Sequence, residues 1–156
     1  MTPALQYLKQ HNIAHVVHRY DHDPSVESYG TEAALKMGVP PEQVFKTLVV
    51  KTSDNQLAVA VLPVTMQLSL KNMAKQLGVK KVAMASADAV VRSTGYVLGG
   101  VSPLAQKSPL RTVVDESAHT HSAVFVSAGQ RGLEIEMSPA DLCGALKSII
   151  APIGML

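Results

Sequence analysis

Two strongly apolar runs, separated by a short polar stretch, constrain the fold of this chain more than any other feature. Residues 44–52 read VFKTLVVKT and residues 57–63 read LAVAVLP, with SDNQ between them. Such β-branched and apolar residues fill buried strands, and the polar connection predicts an antiparallel hairpin. Side chains two apart share a face, so Lys46 lies on the face of Leu48 and Val50. Two interpretations are possible for Lys46. Its aliphatic chain can lie along the apolar face while the ammonium extends to water, or an enclosed site can require a cation at this position.

Short helices and strands follow one another irregularly along the rest of the chain. Capping and turn residues predict helices at residues 3–10, 30–38, 69–76, 87–94 and 138–150, and further strands at residues 14–20, 80–85, 111–116, 122–129 and 133–137. This order lacks the regular strand–helix alternation of a doubly wound parallel sheet. We therefore expect an α+β (mixed α/β) fold, with a curled, mostly antiparallel, barrel-like sheet surrounded by helices.

The composition fits one domain over residues 1–156, because 47% of the residues are hydrophobic and can form one sizeable core. No stretch approaches the roughly 20 apolar residues that span a bilayer. With a single cysteine, Cys143, the chain cannot form an internal disulfide, which suits a reducing compartment. We expect a cytoplasmic protein in which Cys143 is a buried small residue rather than a catalytic thiol.

Positive charge is concentrated in the basic segment, residues 71–111. It contains seven Lys and Arg residues and one acidic residue, Asp88. Such a segment is either a solvated surface or a patch for a polyanion backbone. The chain has six aromatic residues and no Trp, so few side chains are available to stack on single-stranded bases. The pattern therefore favours backbone contacts over base recognition.

Several common catalytic sites are disfavoured by the motifs. The four histidines within residues 11–22 span a predicted change from helix to strand, so they should diverge, and His119 and His121 are more typical of a solvated turn than of a zinc site. Ser102 lacks the Gly-x-Ser-x-Gly frame of a nucleophile elbow, and Pro103 removes the amide that would follow it. No P-loop or dinucleotide-binding glycine motif is present.

Gly99 and Gly100 lie in the loop GYVLGGVSPLAQKSPL, residues 95–110. Because glycine allows a close approach of the backbone, their amides could point at a ligand oxygen. A tight turn stiffened by Pro103 is an equally good interpretation of this stretch.

Three motifs together carry a family resemblance: VFKTLVV, GYVLGGVSPLAQK and VFVSAGQRGLEIEMSPADL. In their order and spacing the chain resembles the YbaK/EbsC family, specifically the bacterial YbaK-type Cys-tRNA(Pro) deacylases. The resemblance implies a trans-editing enzyme that hydrolyses mischarged Cys-tRNA(Pro). It also implies attack by the substrate's own thiolate, with no cofactor, no metal and no enzyme nucleophile.

The resemblance also implies roles for individual residues. Lys46 would orient the aminoacyl end and favour developing negative charge. The other implied site residues are Gly99, Gly100 and Val101, with amides near the ester carbonyl, Tyr20 and Tyr29, which line the pocket, Ser127, a polar contact, and Glu134, which pairs with the substrate ammonium or with Lys46. Three positions depart from the family pattern: Glu134 where Asp is frequent, Tyr29 where Phe is also usual, and Ala105 where Gly is expected.

The implied partners are the mischarged tRNA and prolyl-tRNA synthetase. Within the basic segment, the expected tRNA contacts are Lys71, Lys75, Lys80 and Lys81. Phosphate contacts are blind to sequence, so selectivity for tRNA(Pro) would come from the synthetase. Three alternatives stay open: a deacylase of the same family that prefers Ala- or Ser-tRNA, a non-catalytic module that binds tRNA or a synthetase, and a metal-dependent hydrolase.

Overall fold

The computed structural model describes residues 1–26 and 28–156 and has an α+β architecture. The helices are α1 (Pro3–Gln10), α2 (Tyr29–Met37), α3 (Leu70–Leu77), α4 (Ala87–Thr94) and α5 (Pro139–Leu146). The strands are β1 (Val16–Arg19), β2 (Phe45–Thr52), β3 (Leu57–Pro63), β4 (Gln67–Leu68), β5 (Val82–Met84), β6 (Arg111–Asp115), β7 (Val124–Gln130), β8 (Leu133–Met137), β9 (Ile149–Ala151) and β10 (Gly154–Met155).

The predicted starts of α1, α3, α4 and α5 are confirmed by their capping contacts. Four hydroxyl groups accept a hydrogen bond from the backbone N–H three residues further along, as helix N-caps do: Thr2, Ser69, Ser86 and Ser138. Gly38 and Gly78 end α2 and α3 in the left-handed conformation. Local sequence therefore indicates where these four helices begin and where α2 and α3 end.

The predicted closing helix is wrong in its second half. α5 ends at Leu146, Lys147 adopts a φ of 50°, and the next residues form β9, which pairs in parallel with β6. The β-branched side chains of Ile149 and Ile150 favour a strand, and the edge of β6 offers the hydrogen-bond partners. The two-residue strands β4 and β10, which pair with each other, were also not predicted.

The β2–β3 hairpin forms as predicted and lies at the centre of a five-stranded sheet. Its strand order is β5–β2–β3–β6–β9, and Lys46 on β2 faces Leu62 on β3. The β3–β6 and β6–β9 pairs are parallel, and the other strand pairs are antiparallel, so the mostly antiparallel sheet is confirmed. Apolar side chains cover the hairpin on both faces, which explains why its two strands lack an apolar–polar alternation.

The predicted closure of the sheet into a barrel is wrong. A second sheet has the order β1–β8–β7, and in the described residues it meets the five-stranded sheet at a single bridge between Val44 and Phe125. Beyond this bridge the register of β7 shifts between Ser127 and Gln130. Such an irregularity interrupts the ladder and bends a strand. In the described residues β7 makes no further bridge to the five-stranded sheet, and an open seam lies between β2 and β7.

Candidate active site

The seam between β2 and β7 contains a cavity of about 490 Å³. Its walls come from β2, the first turn of α2, the β7–β8 hairpin and the loop at residues 95–110, called here the glycine loop. Seven of the eight predicted site residues line it: Tyr20, Tyr29, Lys46, Gly99, Val101, Ser127 and Glu134. The eighth, Gly100, is buried and donates its N–H to the Val97 carbonyl at 3.0 Å, so this amide is already used within the loop.

Lys46 is a half-buried cation in the cavity wall. It shares an apolar face of the hairpin with Leu48 and its cross-strand neighbour Leu62. Burial lowers the pKa of Lys46 below its ordinary value of 10.5. In the described part of the chain no carboxylate lies within ion-pair distance of the Lys46 ammonium. The cavity therefore presents a desolvated positive charge that a bound anionic group can neutralise.

Glu134 is the buried acid of the cavity. It lies on the central strand β8, between His18 of β1 and Ser127 of β7, and is 6% exposed. Burial raises the pKa of its carboxyl from 4.5 to about 8. Burial also raises the pKa of Tyr20 to about 12, and the Glu134 charge adds to this rise. Both groups are thus mainly protonated at neutral pH, and the suggested ion pair of Glu134 with Lys46 is not formed in the described structure.

Replacing Glu134 with glutamine is expected to change how stability depends on pH. Because the native pKa of about 8 lies above the ordinary 4.5, the native state holds a proton that the unfolded state releases between these values. Wild-type stability should therefore fall as pH rises from about 5 to 9, by more than about 1 kcal/mol relative to the variant, since one pKa unit corresponds to about 1.4 kcal/mol. Denaturant unfolding at several pH values measures this. Glu42→Gln, at an exposed position, is the matched control, and parallel curves for wild type and Glu134→Gln would contradict the prediction.

The glycine loop approaches the cavity through two residues that have no room for a side chain. Gly99 has a φ of +83°, and a Cβ there would lie 2.6 Å from Tyr29 Cε2. A Cβ on Gly100 would lie 2.8 Å from the Gln130 Cα in the β7–β8 hairpin. The two glycines therefore serve close packing, and the backbone beside Gly99 and Val101 is the part of the loop that faces the cavity.

Hydrogen bonds within the glycine loop fix its conformation between Tyr96 and Leu104. Tyr96 is buried and donates its hydroxyl to the Leu104 carbonyl at 2.7 Å, and Ser102, fully buried, accepts from the Leu104 N–H. Ser102 thus has a structural place in the loop. Ala105 has a φ of 54°, in the left-handed region that glycine adopts without strain, which explains why glycine is the expected residue at this position.

A buried carboxylate that the sequence motifs did not single out fixes the α2 wall. Glu32 on α2 accepts hydrogen bonds from His22 Nδ1 at 2.6 Å and from the Asp23 N–H at 2.7 Å. The ammonium of Lys36 lies 3.4 Å from the same carboxylate. These contacts hold the segment after Tyr20 against the helix that begins at Tyr29. A buried glutamate among apolar alanines, EAA at residues 32–34, was the signal available in the sequence.

The basic segment reaches the cavity along β5. Its four predicted tRNA contacts are exposed: Lys71 and Lys75 on α3, and Lys80 and Lys81 immediately before β5. β5 then leads to Met84 and Ala85 in the cavity wall. Met84 is three positions along the chain from Lys81, which is roughly 10 Å in an extended strand. A polyanion lying on these lysines could therefore place its end in the cavity.

The four histidines within residues 11–22 diverge: His11 and His15 bond to the carbonyls of Tyr7 and Ile13, and His18 and His22 bond to two different glutamates. His18 pairs with Glu136 at 2.8 Å, and His119 Nε2 lies 3.8 Å from the sulfur of Cys143, which is buried as expected. Within residues 1–26 and 28–156 no three His, Cys, Asp or Glu side chains form a cluster suited to a metal ion. None of the helices in the same residues has the length and apolar content that a bilayer span requires.

Comparison with known proteins identifies the family. The aminoacyl-tRNA editing domain matches residues 23–144. The chain belongs to this family. EbsC of Enterococcus faecalis, whose name describes a Cys-tRNA(Pro)/Cys-tRNA(Cys) deacylase, is 36% identical over 139 residues, which cover 88% of this chain and 84% of EbsC. A proline–tRNA ligase of Trichlorobacter lovleyi is 27% identical over 99 residues, 64% of this chain and 17% of the ligase.

The same fold occurs in a solved structure described as a trans-editing enzyme for prolyl tRNA synthetase. The two chains superpose with a TM-score of 0.81 at 21% identity, over 98% of this chain and 93% of the other. The matches to the editing-domain family and to EbsC confirm the family resemblance inferred from the three sequence motifs. As a member of the aminoacyl-tRNA editing family, the chain is an aminoacyl-tRNA deacylase that acts on mischarged tRNA.

Proposed function

We propose that this editing domain hydrolyses Cys-tRNA(Pro) in trans, after prolyl-tRNA synthetase has attached the wrong amino acid. The name of EbsC and the relation to a proline–tRNA ligase support this substrate. The need for such an enzyme is physical. Cysteine and proline are close in size, and an apolar pocket separates such groups by only about 1–3 kcal/mol, so a second, hydrolytic selection step is required.

The desolvated cation in the seam is the observation that carries the proposal. In the proposed reaction the substrate's thiolate attacks the carbonyl carbon of its own ester, and the new C–S bond forms as the C–O bond to the terminal ribose breaks. The ribose oxygen takes up a proton and leaves with the tRNA. Water then hydrolyses the cyclic thiolactone to cysteine. Lys46 stabilises the negative charge on the thiolate and on the carbonyl oxygen, because no carboxylate of the described chain neutralises it first.

The other cavity residues position the substrate. Tyr20 and Tyr29 form the walls around the aminoacyl group, Ser127 offers a polar contact, and the backbone beside Gly99 and Val101 faces the ester. Gly100 supports this backbone from behind the lining. A substrate ammonium next to Glu134 would lower the pKa of its buried carboxyl from about 8, so binding of the amino group and ionisation of this acid are coupled.

The tRNA body is held outside the cavity in this proposal. Lys71, Lys75, Lys80 and Lys81 contact phosphates of the acceptor end, which then enters the seam along β5. These contacts do not distinguish one tRNA from another. Prolyl-tRNA synthetase is therefore the proposed partner that presents tRNA(Pro) to the editing domain.

The test compares three esters on the same tRNA(Pro): cysteinyl, seryl and alanyl. Serine differs from cysteine by oxygen in place of sulfur, so it probes the thiol at nearly constant size. We expect cysteinyl-tRNA(Pro) to be hydrolysed on the order of 100-fold faster than either other ester, because only a thiol supplies a reactive anion near neutral pH. The measurement is release of the labelled amino acid under single-turnover conditions.

Two outcomes would contradict the proposal. Equal rates for the three esters would indicate a deacylase that activates water and prefers no thiol. No turnover of any ester, even with prolyl-tRNA synthetase added, would indicate a module that only binds tRNA or the synthetase.

A further inference from the structure

Arg131 connects two walls of the cavity from the outside. It lies in the turn between β7 and β8, and its Nε and Nη2 atoms both donate to the Leu98 carbonyl, at 3.1 and 2.7 Å. Its guanidinium carbon lies 4.7 Å from the centroid of the Tyr29 ring, a distance at which a cation and an aromatic face attract each other. One exposed side chain thus contacts both the glycine loop and the start of α2.

Gly99 lies inside this contact. A Cβ built on Gly99 would be 2.6 Å from Arg131 Nε and 2.6 Å from Tyr29 Cε2. The loop, the arginine and the tyrosine are therefore in mutual van der Waals contact, and the absence of a side chain at Gly99 makes this possible. Gly99 and Tyr29 both line the cavity, so this contact lies directly behind its wall.

The two surfaces that Arg131 joins differ in how firmly they are held. Tyr29 begins a helix that the buried Glu32 ties to His22 and Asp23. The tip of the glycine loop is solvated, with Val97 58% and Leu98 43% exposed. Few buried apolar contacts hold such a segment, so an external contact has a large effect on its position. Arg131 supplies that contact at the Leu98 carbonyl.

We infer that Arg131 is a positioning residue that holds the glycine loop beside Tyr29 and thereby places the backbone beside Gly99 and Val101 at the substrate ester. This inference rests on the proposed function, because such placement matters only for an enzyme that binds an aminoacyl ester in the cavity. Arginine suits the role because its planar group aims two donors at one carbonyl while its face packs on an aromatic ring, which lysine cannot do.

The kinetic test uses Arg131→Ala and Arg131→Lys, with Arg19→Ala as the matched control. Arg19 is also exposed, but it lines a separate groove between α1 and β1. We expect both Arg131 variants to lower kcat on cysteinyl-tRNA(Pro) about tenfold with little change in KM, since misplaced reacting groups cost about 100-fold per 1 Å. Arg19→Ala should behave as the wild type.

A different pattern would overturn the inference. If Arg131→Ala raises only KM, and Arg131→Lys restores it, the side chain is a charge contact for tRNA phosphate and not a positioning residue. If kcat on cysteinyl-tRNA(Pro) is unchanged in both Arg131 variants, Arg131 does not position the reacting groups.

Hydrogen exchange separates this inference from the proposed function. Arg131→Ala should accelerate amide exchange in residues 97–101 at least about tenfold while the rest of the chain exchanges as in the wild type, because loss of the contact releases the loop locally. Unchanged exchange would overturn the positioning role whether or not the enzyme turns over. An inactive wild type with accelerated exchange in the variant would contradict the proposed substrate and leave the contact established.

Discussion

Replacing Lys46 with alanine is expected to lower the rate of Cys-tRNA(Pro) deacylation about 100-fold or more, the scale seen when one preorganised charge-stabilising group is removed. The reason is the position of Lys46 in an apolar wall, where its charge acts through little water. Single-turnover release of cysteine measures the effect. The matched control is Lys51→Ala, which removes an exposed lysine from the same strand and should retain the wild-type rate.

The same variant separates a catalytic role from a structural one. Burial lowers the pKa of Lys46, so its charge costs folding energy, and Lys46→Ala should be at least as stable as the wild type. The charged form is also lost at a lower pH than that of an exposed lysine. The wild-type rate should therefore fall at alkaline pH, while the residual rate of the variant continues to rise as more thiolate forms. Full activity of Lys46→Ala would contradict the catalytic role of Lys46. Loss of activity that results from unfolding of Lys46→Ala would also contradict it.

Those parts of the fold that depend on local sequence could be predicted, and those that depend on distant partners could not. The β2–β3 hairpin and the caps at Thr2 and Ser86 follow from neighbours in the chain. β9 forms because Ile149 meets Val113 on the edge of β6, 36 residues earlier in the chain. Closure of the sheet depends on whether β7 pairs with β2 beyond Phe125. Gly129, with a φ of 109° inside the irregularity of β7, is a sequence signal for a bulge, but it does not indicate which strands stay unpaired.

The residues of the candidate site also differ in whether local sequence or distant contacts reveal their roles. Lys46 could be found because a charge interrupts an apolar strand, and the glycines because two adjacent glycines stand in a loop. Arg131 could not be distinguished from any other exposed arginine, since its contacts to Leu98 and Tyr29 join three separate segments. The role of Gly100 was predicted as a donor to substrate, whereas its N–H bonds to Val97 within the loop. A glycine needed for close backbone packing cannot be distinguished, from sequence alone, from a glycine whose amide is free to bind a substrate.

Replacing Asp115 with alanine should produce the largest loss of stability among the substitutions considered. Asp115 is buried at the end of β6 and accepts hydrogen bonds from the N–H groups of Ile153 and Gly154, at 3.0 and 2.8 Å, and from the N–H and hydroxyl of Ser117. We expect a loss of roughly 3–5 kcal/mol, since each buried donor left unpaired costs about 1–3 kcal/mol. Denaturant unfolding measures it, with Asp88→Ala, at an exposed ion pair, as the control that should change little.

The pH dependence of the effect identifies its cause. Burial alone would raise the pKa of Asp115, but the hydrogen bonds from Ser117, Gly154 and Ile153 outweigh it and hold the pKa below the ordinary 3.8. A lowered native pKa adds stability that is present above pH 3.8 and is lost as pH falls through the native value. Wild type and Asp115→Asn should therefore differ at pH 7 and converge in acid. A constant difference at all pH values would mean that shape, and not the carboxylate charge, holds the β9 and β10 segment to β6.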